Sequence, residues 1–401
     1  MRLFDSPDEA SRFLAPQLDR PVDATRLRLA PGIVLRTEPL QVSTGFTNAY
    51  TVSWQPPASA EVFVTEPPVS ARAFAERGDH VVTATAGFFF LADRCQYRPR
   101  TLSLNLAIHE GRILSLPTAD QEALVSRAGA LSVVQVPAQG ELTLGGRHLR
   151  WAGTRTGVAA DVYAYGNANC VILHRSDELT GKVRVFQEQS RFTPPIADGS
   201  WSDLGFKSSS DGSFEAVARN DQGRLDIFRH DLVLRCPRTV AREGIRAQVH
   251  TVGPLTPQKS LQAAISVGPA LSCPDLHTHP LNDDRSLGSF PLLRERAAAR
   301  LVFYETSDGC QHLTLFDARP GSPTFTGVTL AETVPLIRAR GEVVAGCLLD
   351  SGHTSRINAW RDGTLTSFGN RHYLRWPTPE QPRFAWNPDE GRPAASVIAL
   401  R

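Results

Sequence analysis

The chain has a single methionine and only six cysteines, all isolated: Cys95, Cys170, Cys236, Cys273, Cys310 and Cys347. Without a Cys-x-x-Cys pair, neither a zinc knuckle nor a dithiol redox site has its usual spacing, and reduced, mostly buried thiols are expected. Long apolar runs are missing as well. Met1 to Arg20 lacks the apolar stretch of about 7 or more residues that a secretory leader needs, and no run approaches the roughly 20 residues of a membrane span. The expectation is a soluble, cytoplasmic protein with no membrane partner. Charge of one sign is not in excess, since 43 Lys and Arg oppose 41 Asp and Glu. With no basic block to meet a phosphate backbone, nucleic acid is set aside as a partner. The Gly-x-Ser-x-Gly elbow, the phosphate-binding loop and the dinucleotide fingerprint are all absent, which removes serine hydrolases, P-loop enzymes and nicotinamide enzymes from consideration.

What remains is an ordinary globular composition, 41% hydrophobic and 21% charged over 401 residues, enough to bury a large core. The first residues, around Ser6-Pro7-Asp8-Glu9, read as a helix opening, with Phe4, Ala10, Phe13, Leu14 and Leu18 at helical intervals. From about Leu27 the texture changes to short apolar or alternating runs between Gly, Pro, Asn and Asp, which read as strands. Hairpin turns are expected at His109-Glu110-Gly111, Gly145-Gly146, Asp221-Gln222-Gly223, Ser307-Asp308-Gly309 and Asp362-Gly363. Ile196 to Gly212 is polar and turn-rich, and reads as a surface loop or insertion. Thr329-Leu330-Ala331-Glu332 is a capping box. It opens a helix with Leu330, Val334 and Ile337 on one face, Pro335 as a blemish and Gly341 as the stop. The run Val343 to Leu349 then has the pattern of a strand buried on both faces.

The fold class expected is α/β in the α+β, β-rich sense: a mixed, largely antiparallel sheet with flanking helices. The domain reading is a helical extension over 1–26, one core domain over 27–370, and a C-terminal tail over 371–401 packed on it.

The chemistry concentrates where the buried strand ends. Asp350 stands at its mouth, followed by the small-residue turn Ser351-Gly352-His353-Thr354-Ser355. Two readings of Asp350 stand side by side. It is an acid, base or ligand orienter above a turn that binds phosphate or sugar oxygens, or it caps its own turn, as Asp commonly does.

Four motifs then occur in order: Thr85-Ala86-Gly87-Phe88-Phe89; Ser266-Val267-Gly268-Pro269-Ala270-Leu271; Arg300 to Gly309 with Leu313 to Asp317; and Gly327 to Glu332 with Leu349 to Ser355. Together they resemble the phosphodiester glycosidases, over about Leu29 to Phe368. That resemblance implies an enzyme that hydrolyses the bond between a sugar's anomeric carbon and a phosphodiester oxygen. With it, Asp350, Arg300 and His353 are expected as catalytic groups, and Asp317, Gly352, Thr354, Ser355, Gly87, Thr85 and Gly268 as substrate-binding positions, Arg300 and Asp317 standing on the family's matching positions. A guanidinium suits a phosphate geometrically, and a carboxylate can stabilise or attack an oxocarbenium-like centre. The implied partner is a small sugar phosphodiester or related glycosylated intermediate. No cofactor is implied, and a divalent cation is left open. The family's Asn is Thr85 here, one of its glycines is Ala86, and its Asp-Gly-Gly-Gly turn is Asp350-Ser351-Gly352-His353. These departures point to a changed substrate or reaction, or to a non-catalytic binding protein.

Rival sites are weighed beside this one. His277-Thr278-His279-Pro280, with Asp283 and Asp284 following, has ligands for zinc, but Leu287 and Phe290 stand where the metalloprotease pattern needs Ser and Asp. Two ordinary loop histidines are the better reading, and no metal site is expected. His353 is either a proton shuttle or a turn residue. Arg300 is either the phosphate clamp or an ion-pair partner of Asp317. Glu305 lies an odd number of residues from Arg300 and so points to the opposite face.

Overall fold

The computed structural model describes residues 1–90, 102–103, 105–165, 172–177, 182–188, 192–258, 260–272 and 297–401. His277, His279, Asp283 and Asp284 lie outside the described residues, as do Cys95, Cys170 and Cys273. Strands account for 48% and helices for 9%, with sheets mostly antiparallel, so the α+β, β-rich class holds. Among the described residues no helix is long and apolar enough to cross a membrane.

The chain forms two compact units that interleave in sequence. One comprises Met1–Gly87, Gly268–Leu276 and Leu292–Arg401, the other Phe88–Val267 and His277–Pro291. The expected core of 27–370 therefore spans parts of both.

In the first unit, a six-stranded antiparallel sheet runs in the order Thr25–Ala30, Ile33–Val42, Gly45–Trp54, Gln311–Phe316, Arg300–Thr306 and Val343–Leu348. Its last strand is an edge. Val344 is 56% exposed, and only the end from Gly346 onward is buried. The expectation of burial on both faces thus fails for the first half of that strand; among the described residues, the segment Gly268–Leu271 bonds only to its second half, from Gly346 to Leu348. The helix Leu330–Arg338 has the expected capping box, with Thr329 and Glu332 satisfying each other's backbone. It packs Leu330 and Ile337 against Val302, Tyr304 and Leu348. Pro335 is accommodated in this short helix, which ends at Arg338 rather than continuing to Gly341.

A second, five-stranded sheet has the order Thr364–Phe368, Ile357–Arg361, Val82–Thr85, Ala394–Leu400 and Ala60–Val69. The C-terminal strand Ala394–Leu400 is interior to this sheet, buried along its whole length. At the other terminus Arg2–Phe4 pairs with Phe384–Trp386, and the helix Pro7–Leu18 begins at the Ser6 cap.

The second unit combines a five-stranded sheet with a closed seven-stranded barrel. The barrel order is Gln139–Leu144, Arg147–Gly153, Val162–Tyr165, Leu232–Pro237, Trp201–Ser208, Phe214–Asn220 and Arg246–Val249. Alternate residues fill the interior, among them Val162, Ala164, Leu204, Phe206 and Leu234. Two sequence expectations are corrected here. Trp201–Ser208 is a barrel strand, not part of a surface loop, because Leu204 and Phe206 at period two supply core. Asp221-Gln222-Gly223 does not close a hairpin. The strand after it, Leu232–Pro237, pairs back with Trp201–Ser208, and Gly223 instead packs against the Pro194 carbonyl, which a Cβ at this position would meet at 2.3 Å. The turns at Glu110-Gly111, Gly145-Gly146, Gly309 and Asp362-Gly363 do join paired strands.

Candidate functional site

The strand Val343–Leu348 delivers Asp350 to one end of the six-stranded sheet. Its pairing partner is Arg300–Thr306, with Val302 opposite Leu348. Beyond the ladder, the Leu349 amide donates to Leu301 O at 2.8 Å and the Gly352 amide to Ala299 O at 2.9 Å. These two bonds straddle Arg300, so the turn is laid directly beside that strand's start. Across the turn, the Asp350 amide donates to Ala86 O at 2.9 Å. Gly268 lies alongside as well, its amide donating to Leu348 O at 2.7 Å. Segments far apart in sequence thus meet at this strand end: 85–87, 268–269, 299–301 and 349–356.

The carboxyl of Asp350 accepts from its neighbour's amide, Ser351 N, at 2.8 Å, and from the Thr354 hydroxyl. Burial pushes it up to about 6, against the pull of the Arg392 guanidinium and those two donors, all of which favour the charged form. Gly352 takes φ +76°, and a side chain there would meet nothing within 4 Å, so the glycine serves the backbone turn. His353 lies in the 3-10 turn Gly352–Thr354.

The other expected residues divide by what they touch. Ser355 is fully buried and its hydroxyl donates to Asp350 O at 3.1 Å. Thr85 donates its amide to Arg356 O at 3.1 Å, and its hydroxyl accepts from the Arg356 amide at 3.2 Å. The Gly87 amide donates to Ser396 Oγ at 3.0 Å. These contacts hold the turn in place. Arg300 is 2% exposed, its Nε donates to Val328 O at 3.3 Å, and burial pushes the guanidinium down to about 10. Glu305 accepts from Gln311 at 3.3 Å.

Asp317 forms a second focus. Its carboxyl accepts the Ala318 amide at 2.8 Å and the Asn370 amide at 3.4 Å, and burial pushes it up to about 7. The cations acting on it are Arg371 and Arg356, which favour its charged form. Tyr50 lies near, its phenol raised by burial and by Asp317. Asn370 and Arg356 are both buried, and among the described residues neither the side-chain amide of Asn370 nor Nη1 of Arg356 has a hydrogen-bond partner. Orphaned buried polar atoms of this kind are costly.

Sequence reasoning did not single out Arg392, Arg356, Asn370, Arg371 or Tyr50. One signal was present: Gly391 precedes Arg392 and Pro393 at the head of the apolar run Ala394–Leu400. A side chain at Gly391 would stand 3.0 Å from Arg356 Cδ, so the two chains approach closely here.

No protein-family model and no curated protein matches the chain. Solved structures do match it. A hypothetical protein from Synechocystis is 15% identical with a TM-score of 0.56, over 94% of this chain and 64% of that one. A putative exported protein from Burkholderia pseudomallei is 14% identical with a TM-score of 0.48, over 89% and 74%. The catalytic domain of zebrafish N-acetylglucosamine-1-phosphodiester alpha-N-acetylglucosaminidase, auto-inhibited by its pro-peptide, is 11% identical with a TM-score of 0.41, over 95% and 87%. The chain thus spans 64% of the Synechocystis protein's length, and what it shares with that protein is a fold.

Proposed function

We propose that this chain is a hydrolase of sugar phosphodiesters, cleaving the bond between the anomeric carbon and a phosphate oxygen, with Asp350 as its working carboxylate. One observation carries the reading: a carboxyl just past the buried end of a strand, held by Ser351 N and Thr354, with its pKa raised to about 6. A carboxylate poised near neutral pH suits acid, base or nucleophilic work. A phosphomonoester is a good leaving group, so one carboxylate facing the anomeric carbon suffices where an ordinary glycoside needs a second carboxyl as proton donor.

Charge for the phosphate comes in this proposal from Arg392, with Arg300 beneath the turn and His353 on it. The unpartnered polar atoms of Arg356 and Asn370 offer further donors near Asp317. The water that completes hydrolysis delivers its oxygen to the sugar and its proton to the released phosphate. The test is release of sugar and phosphomonoester from a panel of sugar phosphodiesters and nucleotide sugars, read by mass, for the wild type and Asp350→Asn. Turnover lost in the variant supports the reading; a wild type inactive on every member removes it.

A further inference from the structure

The barrel of the second unit has an outer face as well as a core, and three adjacent strands decorate it unusually. Tyr163 pairs opposite Arg235, and Arg235 opposite Asp203. Directly opposed residues share a face, as do residues two apart along a strand. Tyr165 and Trp201 therefore join Tyr163, Arg235 and Asp203 on one side, while Val162, Ala164, Leu204, Leu234 and Cys236 point into the core. The segment Pro194–Asp198 and Arg155 border this face, and together they line an open cavity of about 620 Å³. That size lies within the roughly 300–1,000 Å³ usual for small-ligand sites.

The lining is built rather than incidental. Asp203 is fully buried and holds Arg235 through two bonds, at 2.8 and 3.0 Å. It also accepts the Thr193 hydroxyl at 2.5 Å. A buried ion pair adds little net stability; what this one does is fix the orientation of a guanidinium at the cavity wall. Arg235 also lies over the Tyr165 ring, 5.4 Å from its centroid. Tyr163 and Trp201, both half-buried, meet at 5.7 Å with their planes tilted by 52°, making an aromatic corner.

Charge selects the ligand. Arg235 is paired with Asp203, and the rest of the lining carries one cation, Arg155, and one carboxylate, Asp198, so the formal charges of the cavity cancel and it favours neither an anion nor a cation. A neutral sugar ring has both properties required: apolar C–H faces to lie on aromatic rings, and hydroxyls that donate and accept at the ring's edge. We infer that this cavity is a carbohydrate-binding site, in which a neutral saccharide packs on Trp201 and Tyr163 and hydrogen-bonds to Arg235 and its polar neighbours. All residues that line the site belong to the second unit.

The experiment titrates the full chain with N-acetylglucosamine, chitobiose, maltose and cellobiose, alongside glucose 1-phosphate, by calorimetry and saturation-transfer NMR. Binding of at least one neutral saccharide is expected, weakened about tenfold or more in Trp201→Ala and Tyr163→Ala and largely kept in Trp201→Phe. Ala197→Trp, on the exposed wall away from the barrel strands, should block the cavity without touching the fold, and covers the case in which an aromatic deletion unfolds the unit. No neutral saccharide bound at millimolar concentration, binding untouched by Ala197→Trp, or binding of the phosphorylated sugar alone would each overturn the assignment.

Discussion

The backbone amide of Asp350 donates to the carbonyl oxygen of Ala86 at 2.9 Å. That bond ties the turn after one sheet's edge strand to the end of a strand in the other sheet. Ala86 is itself held by its amide to Ser396 O at 3.2 Å, and Thr85 bonds to Arg356 in both directions. The position of Asp350 is thus set by main-chain bonds that its side chain does not supply, so the carboxyl can be changed without dismantling the turn.

Asp350→Asn follows from this. The amide oxygen of Asn can still accept Ser351 N, so melting temperature should stay within a few degrees of wild type. Turnover should fall by roughly 10²- to 10⁴-fold, the usual contribution of an acid or base residue. Near-normal turnover by a folded variant would remove Asp350 from the reaction.

The pH profile should carry the same signature. If the ionised carboxylate is the working form, kcat/KM rises with pH through an inflection near about 6. Arg392 favours the charged form, so Arg392→Met should move that inflection upward. An inflection that stays put would show that Arg392 does not act on Asp350.

Asp317 makes a stability prediction. Folded, its carboxyl keeps its proton up to about 7; unfolded, it releases it near about 3.9. Between those values the folded state binds the extra proton, so stability falls as pH rises through the window. Asn carries no such proton and can accept the same two backbone amides. Asp317→Asn should therefore be close to neutral at pH 4 and more stable than wild type at pH 8, by on the order of 2–4 kcal/mol. Urea unfolding at both pH values checks this; parallel behaviour of the two proteins would refute it.

Two glycines near the site should respond differently. Gly352→Ala places a Cβ in open space at φ +76° and costs only backbone strain, about 1 kcal/mol. Gly346→Ala drives a Cβ to 2.6 Å from Leu271 Cδ1 and 2.8 Å from Phe303 O, and should cost about 1–3 kcal/mol. Denaturant midpoints measured side by side test the order.

Local signals were legible where local physics decides. The capping box at Thr329, the helix after Ser6 and the positive-φ turns at Gly111, Gly146 and Gly363 depend on residues within a few positions of one another. The segment Trp201–Ser208 was not legible, because its polar, turn-rich surroundings conceal a period-two pattern of only two core residues. Arg392 was missed for a related reason: the Gly391 and Pro393 that flank it mark a turn and not a charge partner, and its relation to Asp350 exists only once the C-terminal strand lies inside a sheet.

By itself the sequence determined that strands would dominate, where many of them turn, and that a carboxylate would stand at the end of an apolar strand. Those properties follow from side-chain periodicity and from the φ tolerance of single residues. Only the tertiary structure decided that residues 85–87, 268–269, 299–301 and 349–356 converge, that Asp317 is surrounded by Arg356, Asn370 and Arg371, and that Tyr163, Trp201 and Arg235 share one face of a barrel. Long-range strand pairing sets these, because the register between distant strands is chosen by burial over whole sheets and by no residue alone.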